Sequence, residues 1–189
     1  GCAGVVEQEA PRRSIEVLKP VTVAHGERRA SLLPHDGFAV DMTIDFPHPL
    51  VGVQHLALEV DLASFRRDLA TARTFGFAED VAGLRAKGLA LGGSLQNAVV
   101  VAHDRVLNPE GLRWPDEFVR HKALDAVGDL YLAGPLRARF VGHGSGHTLH
   151  AKLLRELFTD PTAWRCVDGD DAFAPPAAHA PLAALQGAD

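Results

Sequence analysis

From Phe38 to Ile44 the chain alternates, with Phe38, Val40, Met42 and Ile44 on one side and Ala39, Asp41 and Thr43 on the other. A period of two puts one apolar face against a core, so this segment is a strand covered on one side. Residues 14–23 and 27–33 are also β-prone, and His25-Gly26 between them reads as a hairpin turn. Phe46-Pro47 and His48-Pro49 form a rigid turn, after which residues 53–60 resume an extended run. Asp61 and Ser64 offer caps to a helix over residues 62–72, whose Leu62, Phe65, Leu69 and Ala72 recur at helical spacing.

Residues 73–77 interrupt that pattern. A short helix at 79–87, a turn at Gly92-Gly93 and extended pieces at 97–103 and 105–108 then make up an excursion the size of a small insert. Pro115 and Asp116 start the strongest helix, residues 116–131, and a strand at 136–141 and a helix at 147–158 follow. The expectation is an α+β chain: a two-layer α/β sandwich, a mixed sheet with helices on one face, carrying a β-α-β insert at about residues 77–103. After Thr159 the composition turns to Pro and Ala without periodicity, which predicts a flexible tail over residues 159–189.

Nineteen Lys and Arg against 24 Asp and Glu give a net charge of -5, so no overall positive field draws the chain to nucleic acid. Cys2 and Cys166 stand at opposite ends without a pairing pattern, which fits a reducing compartment. No apolar run approaches the roughly 20 residues of a membrane span, and no charged-then-apolar leader opens the chain. A soluble, cytoplasmic protein without a transmembrane segment is expected.

On the helix at 116–131, His121 and Asp125 lie four residues apart and project from one face. An imidazole nitrogen and a carboxylate oxygen are ligands that Zn²⁺ accepts, but the same spacing also fits an ordinary polar pair on a helix. Lys122 and Asp129 sit on the same helix. Gly142-His143-Gly144-Ser145-Gly146-His147 opens the last helix and reads either as a site of close substrate approach or as a Gly-rich connection with solvated histidines. Arg73-Thr74-Phe75-Gly76-Phe77 sets a hydroxyl between an arginine and two aromatics, where core packing is the plainer reading. Phosphate loops, dinucleotide fingerprints, Cys-x-x-Cys pairs and nucleophile elbows are absent, which removes several enzyme classes.

Six runs occur in order: Ala72-Arg73-Thr74-Phe75-Gly76-Phe77, Leu91-Gly92-Gly93-Ser94, residues 106–113, residues 116–122, residues 124–130 and Ser145-Gly146-His147, with Ile44-Asp45-Phe46 and His48-Pro49 upstream. Together they resemble the second domain of the zinc-dependent UDP-3-O-acyl-N-acetylglucosamine deacetylases of lipid A biosynthesis, over about residues 10–158. The resemblance implies two similar α/β sandwich domains, of which this chain supplies the second at residues 14–158, with residues 1–13 a remnant of the inter-domain connection.

It further implies Zn²⁺ as cofactor with His121 and Asp125 as two of three ligands, His147 as general acid or oxyanion stabiliser, Asp129 orienting it, and Thr74 polarising the amide carbonyl. Lys122 would meet phosphates or developing charge, Phe46 would stack on uracil, Phe75 would join the substrate site, and Val81, Ala90 and Leu95 would line a passage for the acyl chain. The third ligand and the general base belong, in the family, to a Glu-His pair of the first domain. Gln54-His55-Leu56 falls in an extended segment and is a superficial match, with His55 structural. The chain is therefore expected to be inactive alone. The alternative is a non-catalytic metal-binding or interaction module derived from the family. Gly142-His143-Gly144 also departs from the family's common Ala-Tyr-Lys, which removes one expected lysine contact.

Overall fold

The structure, a computed structural model, describes residues 6, 10, 12–88 and 91–168. Its centre is β8 (Leu136–His143), whose alternate residues Leu136, Ala138 and Phe140 are buried. One edge of β8 pairs in parallel with β4 (Phe38–Phe46), which continues antiparallel into β5 (Gly52–Glu59). The other edge is shared between two strands. β1 (Arg13–Val17) runs parallel to its beginning, and β3 (Arg28–Leu33) antiparallel to its end. β2 (Val21–His25) completes a hairpin with β3 through Gly26, whose φ of 59° suits the two-residue turn.

The expected strand over residues 14–23 is thus two strands. The first stops at Val17 and the second starts at Val21, with Pro20, which carries no backbone N–H, in the break that lets the halves take different partners on the sheet.

Two helices, α3 (Glu117–Leu130) and α4 (His147–Thr159), cover one face of this mixed sheet, as the α+β sandwich reading expects. Phe118, Val119, Ala123, Ala126 and Leu130 from α3, with Leu149, Leu153, Leu154 and Leu157 from α4, close over Leu32, Val40, Met42, Ile44 and Phe140. Each fully buried Val, Leu, Ile, Met or Phe among them contributes about 1.5–3 kcal/mol through removal from water. The opposite face stays polar, with His55 paired to Asp41 at 2.9 Å and Glu59 to His35 at 2.8 Å. His55 lies on an exposed strand face within β5, as an extended segment implies.

Asp61 and Ser64 form a reciprocal capping box at α1 (Leu62–Ser64), but the helix then widens into a π-turn, Phe65–Leu69. Leu69 is buried there, while the Asp68 carbonyl accepts a bond from Arg120 at 3.0 Å. The insert is a β-α-β unit: β6 (Thr74–Phe77), α2 (Ala78–Ala86) and β7 (Ala98–Val101), its strands parallel. It begins three residues before the expected boundary.

The tail expectation needs correction. β9 (Trp164–Asp168) pairs antiparallel along the whole of β1, with Ala163 buried and Trp164 edge-on to Phe158. An edge strand needs mainly backbone partners, so its short Trp-Arg-Cys-Val run carries no alternation to read. The remaining tail, residues 169–189, lies outside the described residues. Among the described residues no helix is long and apolar enough to cross a membrane.

Candidate active site

A buried ion pair joins the insert to α3. Glu117 is fully buried and accepts from the Arg73 backbone N–H (3.0 Å), Nε (2.9 Å) and Nη2 (3.1 Å), and from the Arg113 N–H (2.7 Å). Burial raises the Glu117 pKa, but these four bonds outweigh it and hold the carboxyl below its ordinary value. The pair fixes the chain just before Thr74 against the first turn of α3.

One turn further along α3, His121 directs Nδ1 to the carbonyl of Ala72 at 3.3 Å, so that nitrogen carries the proton and Nε2 keeps its lone pair. Nε2 lies 3.3 Å from Asp125 Oδ1. Burial lowers the His121 pKa, with Asp125 opposing, which favours the neutral ring. Two acceptor atoms thus face each other across a gap that suits a cation. Lys122 Nζ reaches the other Asp125 oxygen at 2.7 Å.

The second helix supplies the facing group. His147, the first residue of α4 and with a side chain 69% exposed, donates from Nδ1 to Asp129 Oδ2 at 2.7 Å, and its Nε2 stands 3.9 Å from Asp125 Oδ2. His150 lies beneath it, fully buried, and donates from Nδ1 to the same Asp129 oxygen at 2.7 Å. Burial raises the Asp129 pKa, yet the two imidazole bonds prevail and keep it below its ordinary value. Asp129, His147 and His150 are close enough to be considered together as metal ligands. Their geometry is that of hydrogen bonds, since donors about 2.0–2.2 Å from a tetrahedral zinc lie about 3.3–3.5 Å apart, wider than 2.7 Å.

His121, Lys122, Asp125 and His147 line one cleft of about 560 Å³, together with Thr74, Phe75 and Phe46. Phe46 packs edge-on against Phe75 at 5.4 Å between ring centres, and Phe75 in turn lies edge-on to Phe118 at 4.9 Å. Behind β6 a second, apolar cavity of about 600 Å³ is lined by Val81 and Leu95. Ala90 lies outside the described residues. Thr74, Phe75 and Gly76 border both cavities.

Two features escaped the sequence reading. His150 falls at an apolar position of the α4 stripe, and a lone polar residue among Leu149, Leu153, Leu154 and Leu157 was the available signal. A groove of about 450 Å³ beside His147 is lined by His25, Arg28 and Lys152, which come from separate elements that only the β2–β3 hairpin and α4 bring together. Arg28 lies over Gly144, where an added Cβ would stand 3.4 Å from its Cγ.

Residues 1–159 match the family described as UDP-3-O-acyl N-acetylglycosamine deacetylase. Curated relatives named UDP-3-O-acyl-N-acetylglucosamine deacetylase include one from Phenylobacterium zucineum (strain HLK1), 55% identical over 164 residues, covering 86% of this chain and 56% of the relative. Another, from Acidithiobacillus ferrooxidans, is 49% identical over 177 residues, covering 92% of this chain and 58% of the relative. The relative from Hahella chejuensis is 47% identical over 180 residues, covering 94% and 60%. The chain thus spans less than two thirds of the length of these relatives.

Proposed function

Since the chain belongs to the UDP-3-O-acyl N-acetylglycosamine deacetylase family, we propose that it carries the acid-bearing half of a zinc site that hydrolyses the acetamide of UDP-3-O-acyl-N-acetylglucosamine to the free amine and acetate, in lipid A biosynthesis. The observation that supports this most is the pair His121 Nε2 and Asp125 Oδ1, facing each other at 3.3 Å with the other imidazole nitrogen tied to Ala72. That spacing equals the about 3.3–3.5 Å edge of a tetrahedral zinc site, and the outer bond to a carbonyl is the usual support of a ligating histidine. The donor set therefore fits Zn²⁺, with His121 and Asp125 holding it.

When bound, the metal supplies Lewis acidity, polarising a carbonyl oxygen and acidifying water. The chain's own residues supply the rest. His147, anchored through Nδ1 to Asp129, presents Nε2 to the cleft, where a protonated ring gives its proton to the departing amine and offsets charge on the tetrahedral oxygen. The Thr74 hydroxyl, in the same cleft, donates to the amide oxygen. Lys122, now on Asp125, is free to turn to the phosphates or the developing charge, and the groove of His25, Arg28 and Lys152 extends that positive lining. Phe46 and Phe75 offer ring faces and edges to the nucleotide, and the cavity bearing Val81 and Leu95 takes the acyl chain at about 0.8 kcal/mol per buried methylene.

The third ligand and the general base are assigned to a Glu-His pair outside these 189 residues, so the chain alone binds zinc weakly and hydrolyses little. We place the reaction in the cytoplasm, in keeping with the free, exposed thiol of Cys166.

Zinc titration of this chain and its H121A, D125A and D129N variants is the test. Affinity should fall in the first two and persist in the third. Loss in D129N with retention in H121A would move the metal to the Asp129 cluster and overturn the assignment.

A further inference from the structure

We infer that His150 is a positioning residue that fixes the ring of His147 through their shared acceptor, Asp129 Oδ2, an inference that rests on the reading of His147 as the acid. An apolar stripe on α4 would be served by leucine at this position, and burying an imidazole is unfavourable unless both its nitrogens find partners. Both do. Nδ1 reaches Asp129 at 2.7 Å, and Nε2 reaches the Ser145 hydroxyl at 3.0 Å. The ring also stands edge-on to Phe140, at 5.3 Å between centres and 88° between planes, so it has little freedom to turn.

The directions of these bonds follow from the inventory of donors. Burial keeps the His150 ring neutral by lowering its pKa, so it has one N–H. The carboxylate can only accept, which places that proton on Nδ1 and leaves Nε2 to accept from the Ser145 O–H. Ser145, itself buried, is tipped toward His150 across Gly142, where an added Cβ would come within 2.6 Å of Oγ and 2.8 Å of the Phe140 ring. The chain of bonds therefore runs one way: Ser145 to His150, His150 to Asp129, with His147 donating to the same oxygen from outside. Asp129 is partly open to solvent and His147 is exposed, so the buried, immobile imidazole of His150 is what holds the carboxylate plane. A carboxylate so held selects the His147 tautomer protonated on Nδ1 and turns Nε2 to the cleft.

The test is long-range proton–nitrogen NMR of the histidine rings in the metal-free 189-residue chain at about pH 8.5, where an ordinary imidazole is neutral. An H147Q variant identifies the His147 signals. In the parent His147 should be the Nδ1–H tautomer. H150L should shift it to a mixture, while H150N, whose amide can still donate to Asp129, should restore the parent pattern. S145A should move the signals in the same direction as H150L but less, and it provides the reading if H150L does not fold. An unchanged His147 tautomer in H150L, or in S145A should H150L be unfolded, overturns the inference, as does a shift in H150N as large as in H150L. The deacetylation reading is judged separately: with the complementary half supplied, H150L should lower kcat about 10–100-fold, the usual loss for an outer-shell partner, with KM unchanged. A shifted tautomer with full kcat would uphold the positioning and refute His147 as the acid.

Discussion

Replacing Arg73 by methionine removes the counter-charge of Glu117 while keeping much of the side chain's volume. Glu117 has no solvent exposure, and the Arg73 side chain has 4%. The variant therefore leaves a carboxylate in the interior with only two backbone N–H bonds, from Arg73 and Arg113. Breaking a buried pair in this way costs about 3–5 kcal/mol, against a total stability of about 5–15 kcal/mol for an ordinary domain. R73M/E117L removes the charge, but the same two N–H groups and the Gly111 carbonyl that Arg73 held then lack partners, at about 1–3 kcal/mol each. The double variant should remain destabilised, yet by about 2–3 kcal/mol less than the sum of the singles.

Urea unfolding of the four proteins measures this. Because the native Glu117 pKa is depressed, its contribution is full above the unfolded value of about 4.3 and disappears as pH falls through the lower native value. The parent should therefore lose its advantage over E117Q only in that acid range. Since Ala72 precedes Arg73, zinc binding at His121 should also weaken about 10–100-fold in R73M. A loss below about 1 kcal/mol, or additive singles, would refute the account of the pair.

With the complementary half supplied, H147A should keep its zinc and lose about 10²–10⁴-fold in acetate release, with D129N less affected, as metal analysis beside product assay would show. V81W should fill the cavity behind β6 and lower kcat/KM for long-acyl substrates at least about 10-fold, the effect of two or more unburied methylenes, while short-acyl turnover is retained. Asp160, bonded by Lys19 and by the Thr162 hydroxyl and N–H, has its pKa pulled down to about 2. Its contribution is full above the unfolded value of about 3.9 and is lost as pH falls from there through the native value of about 2, so the stability gap between the parent and D160N should be constant near neutrality and close toward that pH.

The elements legible in the sequence are those whose periodicity reports burial on one face. β4 alternates, α3 and α4 carry apolar stripes, and the capping box at Asp61 and Ser64 is a local exchange between near neighbours. β9 was illegible because its partner is the backbone of β1, about 150 residues away in the chain, and the π-turn at Phe65–Leu69 keeps the side-chain pattern of a helix while changing its hydrogen bonds. The cleft itself was legible through its motifs, since His121, Asp125, Asp129, His147 and Thr74 stand in runs that resemble a known family. His150 was not, because an inward position on a helix looks the same whether the residue fills space or carries a bond, and Arg28 was not, because its neighbours come from a different part of the chain.

β6 is only four residues long, yet Thr74, Phe75 and Gly76 form a partition with an oily chamber on one side and an aqueous, ionic one on the other. An amphiphile lodged across it has its tail and its head gauged by the same strand. On the roles proposed for this cavity and for Thr74, a substitution that shifts the partition to admit a longer tail would also shift the Thr74 hydroxyl, so tail length and reactivity at this edge would drift together.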